Sequence, residues 1–186
     1  MNQPLILASA SPRRREICDL LGIHYTVCPA TCELPVDAQL PPEAAILRVA
    51  RGKAEEVAAT HPQAVVLGAD TAVVVDDEIL GKPKNEEDAK AMLRRLSGRT
   101  HRVITGVWVC GDGYDTGFAD SAEVAFFPLG EEDVAAYVAT GEPMDKAGAY
   151  AVQGFGARYI RGIHGDFYTV MGLPCGRLYR FLHRLG

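Results

Sequence analysis

The sequence lacks several patterns that would each assign it to another class of protein. Its five cysteines are an odd number, and none forms a C-x-x-C pair or a zinc-type cluster with the five histidines. We therefore expect reduced thiols in a cytoplasmic protein rather than a disulfide framework. No apolar stretch approaches about 18 residues, and the N-terminus lacks the basic and long apolar regions of a signal peptide. These absences predict a protein that has no membrane partner.

A basic surface is also lacking. The formal net charge is -5 at pH 7, whereas a broad nucleic-acid footprint needs a net basic face that displaces counterions. We expect no nucleic-acid partner, although a local basic pocket is compatible with this charge. Linkers, repeats and low-complexity tracts are missing too. The 186 residues, 48% of them hydrophobic, therefore predict a single domain over 1–186, with division into two lobes as an open variant.

What the sequence does contain is an alternation of strands and helices. Apolar runs predict strands at 4–9, 24–28, 64–68, 72–75, 79–80, 103–110 and 122–127. Helical periodicity and punctuation predict helices from Pro12 to before Gly22, at 42–60, from the cap Asn85 to before Gly98, at 131–140 and from about Pro174. We expect a hairpin turn at 76–78 and a structured segment at 142–156. The pattern is typical of an α/β fold with a mixed, twisted sheet and helices on both faces.

The segment from Ser9 to Arg14 joins the first strand to the first helix. Ser11 suits the N-cap and Pro12 the first helical position. A helix N-terminus presents unpaired N–H groups to an anion, and Arg13 and Arg14 add planar cations that match phosphate oxygens. The segment predicts a phosphate site, with an ordinary helix start and two solvated arginines as the alternative.

The standard nucleotide-binding motifs are absent. Gly81-Lys82 is followed by Pro83 rather than by Ser or Thr, so the P-loop pattern fails. Gly154-Phe155-Gly156 has Tyr159 where a dinucleotide fingerprint needs its third glycine. Any phosphate site in this chain must therefore be built differently.

Asp70 is predicted just past the carboxyl end of the strand at 64–68, where ligands of open α/β sheets bind. A carboxylate there could hold a hard cation or take a proton from water, or could cap the next segment. Lys53 falls on the apolar stripe of its helix, so it either reaches a polyphosphate or snorkels to the sheet edge. Lys82, in a constrained turn, has the same two interpretations. Glu33 has no periodic role.

The chain resembles the Maf-type nucleoside triphosphate pyrophosphatases, in segments that keep the same order over residues 5 to about 175. The matching segments are Leu7-Ala8-Ser9-Ala10-Ser11-Pro12-Arg13-Arg14, Gly68-Ala69-Asp70-Thr71, Gly81-Lys82-Pro83, Ser97-Gly98-Arg99-Thr100-His101, Thr105-Gly106-Val107, Glu142 to Gly154 and Gly172-Leu173-Pro174. The departures, at Ala10 and Ala151, remove no charged or hydrogen-bonding group.

The resemblance implies an inosine-triphosphatase-like fold with two lobes around a cleft, commonly as a homodimer. It implies Asp70 as the catalytic carboxylate, with Glu33, Lys53 and Lys82 grouped around the phosphates and a Mg²⁺ or Mn²⁺ ion held by Asp70 and Glu33. The substrate-binding residues that we infer by combining the resemblance with the helix-start pattern are Ser9, Ser11, Arg13, Arg14, Thr71 and Gln153. Arg13, Thr71 and Gln153 match the branch that acts on dTTP and UTP; Arg14 stays open between substrate binding and a solvated neighbour.

The predicted reaction is attack of water at the alpha phosphate of a nucleoside triphosphate, giving the monophosphate and pyrophosphate. It would remove non-standard or excess nucleotides. Two alternatives stay open: a pyrophosphatase for modified or purine nucleotides, and a nucleotide-binding regulator of cell division with little turnover. The combination of Asp70, Lys53 and Lys82 favours an enzyme, because a pure binding module needs no carboxylate that activates water.

Overall fold

A computed structural model describes residues 4–32 and 34–185. The strands are β1 (Leu5–Leu7), β2 (Tyr25–Val27), β3 (Val65–Val75), β4 (Glu78–Leu80), β5 (Thr100–Gly111), β6 (Tyr114–Phe126) and β7 (Ile160–His164). The helices are α1 (Pro12–Leu20), α2 (Pro42–Ala58), α3 (Glu86–Leu96), α4 (Glu131–Val138), α5 (Phe167–Met171) and α6 (Cys175–Leu185). Three 3₁₀ segments cover Glu142–Asp145, Ala147–Ala149 and Phe155–Tyr159.

The seven strands form a mixed sheet in the order β2-β1-β3-β5-β6-β7, with β4 paired to β3. β1 runs parallel to β2 and β3, whereas β3 with β4 and β6 with β7 are antiparallel. All three residues of β1 are buried, as expected for a strand that is covered on both faces. The predicted α/β class with a mixed sheet is confirmed.

Local sequence signals set several element boundaries. Asn85 caps α3 by accepting a hydrogen bond from the Asp88 amide at 2.9 Å, and three acidic residues occupy the first turn. The β3–β4 turn consists of Asp76 and Asp77, both with positive φ, which is the conformation that a tight two-residue hairpin needs. The predicted helix and the predicted hairpin turn at these positions are confirmed.

Other predictions were wrong or incomplete. The two runs at 64–68 and 72–75 are one continuous strand, β3, so Asp70 lies inside a strand and not beyond its end. β6 begins eight residues before the predicted start at 122, because sheet pairing holds a polar stretch extended. β7 and the short helix α5 were not predicted.

The chain divides into two compact units. The first lies within Met1–Thr71, Thr105–Asp120 and Gly172–Gly186, and the second within Ala72–Ile104 and Ser121–Met171. In the first unit α2 packs on the sheet very closely at two glycines. A side chain at Gly68 would meet the Ala54 nitrogen at 2.8 Å, and one at Gly106 would meet the Ile46 carbonyl at 3.0 Å. The missing side chains therefore set the distance between helix and sheet.

The second unit has its own apolar core, formed by β3, β5 and β6 residues with α3 and α4. His101 is buried within it, between the rings of Phe126 and Tyr150, and its Nε2 lies 2.8 Å from the Tyr150 hydroxyl. Burial lowers the pKa of His101 to about 4, so the ring is neutral at pH 7. In the part of the chain that the structure describes, none of the helices has the length and apolarity that crossing a bilayer requires.

Candidate active site

The segment between β1 and α1 is folded around the hydroxyl of Ser9. This buried oxygen accepts hydrogen bonds from the Ser11 amide at 3.3 Å and from a terminal nitrogen of Arg14 at 2.9 Å. Ser11 is the N-cap of α1 and Pro12 follows it, as predicted. No side chain of the described residues caps the first turn, and the turn contains no acidic residue. The N-terminal amides of α1 are therefore available to an anion.

Arg14 is not a solvated neighbour, and that interpretation of it was wrong. Its guanidinium donates to the Gly172 carbonyl at 3.0 Å, to Ser9 and to the Thr71 hydroxyl at 3.3 Å. Gly172 has a φ of +127°, in a region that L side chains rarely adopt. Burial lowers the pKa of Arg14, and the nearby Asp70 carboxylate opposes that effect. Arg14 thus ties the first helix to β3 and to the segment that precedes α6.

Arg13 is placed differently from its neighbour. It is half-buried, and within residues 4–32 and 34–185 its side chain has no hydrogen-bond or ion-pair partner. A guanidinium that is anchored to nothing retains all of its donors for a ligand. Of the two arginines, Arg14 is therefore hydrogen-bonded within the described fold, whereas the Arg13 guanidinium is not.

Lys53 and Asp70 form an ion pair in the first unit. Nζ of Lys53 lies 2.5 Å from Oδ1 of Asp70, and the side chains are 23% and 20% exposed. Lys53 lies on the predicted stripe of α2, whose other members Ile46, Ala50 and Val57 are buried. Its ammonium is therefore directed to the carboxylate on β3 rather than out into solvent.

Thr71 connects Arg14 to β5. Its hydroxyl lies 2.8 Å from the hydroxyl of Thr105, which is fully buried, while it also accepts from Arg14. Sequence reasoning included the segment from Thr105 to Val107 in the family resemblance but gave Thr105 no role. The available signal was a hydroxyl in the middle of an apolar strand, because a buried hydroxyl needs a hydrogen-bond partner.

The residues present are compatible with a divalent cation. Oδ2 of Asp70 makes no hydrogen bond to any residue within the described ranges, and the side chain is partly exposed. Mg²⁺ is commonly bound through one or two carboxylates together with substrate phosphates and water. The described residues include no group of three or more His, Cys, Asp or Glu side chains that could hold a metal. Glu33, the other predicted ligand, lies outside the described residues.

Lys82 and Gln153 belong to the second unit, and both are exposed. The carbonyl of Gly81, next to Lys82, accepts from the Gly148 amide at 3.0 Å. This bond joins the turn of Lys82 to the 3₁₀ segment that precedes Gln153. Neither side chain has a hydrogen-bond partner among the residues that the structure covers.

Comparison with known proteins places the whole chain in a family. The family model described as Maf-like protein matches residues 4–185. The dTTP/UTP pyrophosphatase of Bacillus velezensis is 49% identical over 182 residues, covering 98% of this chain and 96% of the relative. The protein of the same name from Geobacillus sp. is 45% identical, covering 98% of each chain, and that from Koribacter versatilis is 46% identical, covering 98% and 94%.

A solved structure supports the fold separately. The Staphylococcus aureus Ham1 protein matches with a TM-score of 0.53 at 14% identity, covering 99% of this chain and 100% of that one. At this identity the likeness concerns the fold alone, and it agrees with the predicted fold class. The full-length family match and the close relatives, by contrast, show descent: this chain is a member of the Maf-like protein family.

Proposed function

We propose that the protein hydrolyses nucleoside triphosphates, with dTTP and UTP as its substrates, to the monophosphate and pyrophosphate. The observation that carries the proposal is the Lys53–Asp70 ion pair, which holds a carboxylate of β3 beside the Thr71 and Arg14 cluster. Relatives that share 42–49% of their residues with this chain are named for dTTP and UTP pyrophosphatase activity.

Asp70 is the group that acts on water. Its Oδ1 accepts from Lys53, so the side chain has one fixed orientation. Oδ2 is left to accept a proton from, or to orient, the water that attacks the alpha phosphate. Geometry of this kind contributes through positioning, because phosphoryl transfer depends mainly on alignment and on charge stabilisation.

The phosphates are bound by cations and amides from several elements. Arg13 donates to phosphate oxygens, and the amides of α1 near Ser11 add donors without adding charge. Lys53 and Lys82 supply ammonium groups, and Ser9 and Arg14 keep the segment before α1 in place. Developing negative charge on the leaving pyrophosphate is stabilised by these preorganised donors.

Asp70, with Glu33, is the proposed ligand set for Mg²⁺ or Mn²⁺. When bound, such an ion neutralises phosphate charge. Oδ2 of Asp70, which the ion pair with Lys53 leaves open, has two lone pairs, so one could hold the ion while the other faces the water. Dialysis against EDTA, followed by readdition of each metal, tests the dependence, with retained turnover after metal removal as the contrary result.

Thr71 and Gln153 are the proposed readers of the base. Uracil and thymine present carbonyl acceptors and one N–H donor, and a Gln amide can both accept and donate. The Gln153 amide is exposed, and no residue within 4–32 and 34–185 occupies its donors and acceptors, which a base could therefore meet. Replacement of Gln153 by Ala is expected to relax the preference for pyrimidine triphosphates more than it lowers the overall rate; an unchanged ranking of substrates would count against the role.

The remaining features of the proposal concern the whole protein. Residues 1–186 act as one nucleotide pyrophosphatase domain, as a homodimer in the cytoplasm, and without a nucleic-acid partner. Light scattering on the purified protein tests the dimer, because a monomeric mass at micromolar concentration would contradict it.

A panel of triphosphates tests the function. Each nucleotide is incubated with the protein and Mg²⁺ or Mn²⁺, and released pyrophosphate is measured. We expect dTTP and UTP to have the highest kcat/KM. A preference for purine or modified triphosphates would support the first alternative enzyme, and binding without pyrophosphate release would support a regulator of cell division.

A further inference from the structure

Gln153 lies in a short segment that is hydrogen-bonded on both sides to the same pair of residues. Two positions before it, the amide of Ala151 donates to the Tyr137 hydroxyl at 3.0 Å. After it, the amides of Phe155 and Gly156 donate to the carboxylate of Glu142 at 2.9 and 3.0 Å. The backbone is therefore fixed around Gln153, although the Gln153 side chain itself is exposed.

The two attachment points are directly connected. The Tyr137 hydroxyl donates to Oε1 of Glu142 at 2.7 Å, so its one proton is committed to the carboxylate and its oxygen accepts from Ala151. Tyr137 is 2% exposed and packs edge-on against Tyr159. The buried ring of Tyr137 thus fixes its own hydroxyl, and the hydroxyl in turn orients the Glu142 carboxylate. We call this pair the Tyr137–Glu142 clamp.

The clamp is electrostatically consistent. Burial raises the pKa of Glu142, but the hydrogen bonds from Tyr137, Phe155 and Gly156, together with the charge of Lys146, bring the pKa below its ordinary value. The carboxylate is charged at neutral pH, and hydrogen bonds to a charged acceptor are stronger than those between neutral groups. Burial raises the pKa of Tyr137, which keeps the phenol protonated as a donor.

Close packing adds a steric constraint. A side chain at Gly156 would meet the Tyr137 hydroxyl at 2.6 Å, and one at Gly154 would overlap the Glu142 carboxylate. The segment can follow the clamp this closely only because both positions are glycine. The two glycines and the hydrogen bonds to Tyr137 and Glu142 therefore both determine the path of the backbone around Gln153.

We infer that Tyr137 and Glu142 are positioning residues for base selection, and that they act by holding the backbone on both sides of Gln153. This inference rests on the proposed function, in which Gln153 reads the base. An amide discriminates between bases by the direction of its donors and acceptors, and hydrogen bonds weaken steeply when that direction changes. Loss of the hydrogen bonds on either side of the segment is therefore expected to reduce the preference for one base over another.

The experiment compares Tyr137→Phe with the matched control Tyr159→Phe. Both replace a buried tyrosine of one core cluster, but the Tyr159 hydroxyl donates to the Asp133 carbonyl at 3.1 Å and makes no hydrogen bond to the backbone beside Gln153. We expect the ratio of kcat/KM for UTP to that for CTP to fall about tenfold in Tyr137→Phe, as for the loss of one hydrogen bond, and to stay unchanged in Tyr159→Phe.

A double-mutant cycle separates action through Gln153 from a general effect. If Tyr137 acts through Gln153, the Tyr137→Phe change shifts the UTP to CTP ratio no further in a Gln153→Ala background. Glu142→Gln is a second variant, because an amide cannot accept all three hydrogen bonds, and it should shift the same ratio.

Three results would decide against these ideas. The inference is overturned if Tyr137→Phe and Glu142→Gln lower kcat/KM equally for every nucleotide. It is also overturned if Tyr137→Phe shifts the UTP to CTP ratio as much in the Gln153→Ala background as in the wild type. Neither result affects the activity of the wild-type protein. Absence of pyrophosphate release by the wild-type protein overturns the proposed function itself.

Discussion

Nζ of Lys53 lies 2.5 Å from Oδ1 of Asp70, so the helix residue that faces the sheet and the carboxylate within β3 form one ion pair. Each residue satisfies a charge that would otherwise be half-buried alone. The pairing also orients the carboxylate with its second oxygen unengaged by the residues that the structure describes. Structure and proposed chemistry therefore depend on the same contact.

Replacement of Asp70 by Asn is expected to lower kcat by roughly 10²- to 10⁴-fold, because the amide cannot take a proton from water. Steady-state pyrophosphate release measures the change, with circular dichroism as the test of folding. Asp115→Asn is the control, since Asp115 is an exposed carboxylate that binds Arg51 and Trp108 in the same unit. Near-normal turnover of Asp70→Asn would remove Asp70 from its proposed role.

The adjacent arginines are expected to respond differently to replacement by Ala. Arg14→Ala removes three hydrogen bonds and leaves the Gly172 carbonyl without its arginine donor, so it should lower the free energy of unfolding by about 1–3 kcal/mol. Arg13→Ala removes no hydrogen bond or ion pair with the described residues, so stability should change by less than about 0.5 kcal/mol while KM for UTP rises about tenfold or more. Urea unfolding and steady-state kinetics measure the two effects; equal destabilisation would contradict the assignment.

Thr105→Val removes a hydrogen-bond partner of Thr71 while keeping the shape of the side chain. We expect a loss of about 1 kcal/mol in the free energy of unfolding, together with a changed ranking of triphosphates, because the Thr71 hydroxyl is freed to reorient. Thr105→Ser retains the hydroxyl and should restore the wild-type ranking. If the Val and Ser variants rank substrates alike, Thr105 does not act through its hydroxyl.

His101 predicts a pH dependence of stability. Its pKa is lowered by burial from 6.5 to about 4, so below pH 6.5 the unfolded chain binds a proton that the folded chain does not. The free energy of unfolding therefore falls as the pH drops from 6.5 toward 4. Urea unfolding at pH 7 and pH 5 should show a loss about 2 kcal/mol larger for the wild type than for His101→Gln. Equal losses would mean that burial does not lower the pKa of His101 in the folded protein.

The sequence predicted those elements whose ends are determined locally. Asn85 with its acidic first turn, and the glycine beyond α3, define that helix without reference to the rest of the protein. The α1 start at Ser11 and Pro12 is a similar case. Asp70 was misplaced because a polar residue interrupts the apolar pattern of β3, and only tertiary pairing with Lys53 explains its presence inside the strand.

Long-range contacts could not be predicted from the sequence, because they too depend on tertiary structure. Arg14 has the same chemistry as Arg13, and nothing in the pattern distinguishes a guanidinium bound to Gly172 and Thr71 from one that has no hydrogen-bond partner among the described residues. The first part of β6 contains polar residues and a glycine, so it has a weak strand signal of its own. The positions of Lys53 and Gln153, in contrast, could be singled out in advance, through helical periodicity and family resemblance respectively.

The two glycines beneath α2 have a consequence for how this protein tolerates change. Gly68 and Gly106 have no functional group, yet a methyl group at either would push the helix backbone outward and draw Lys53 away from β3. A deep mutational scan selected on turnover should therefore rank these positions with the ionisable ones, while a library that varies the exposed face of the same helix should be broadly permissive.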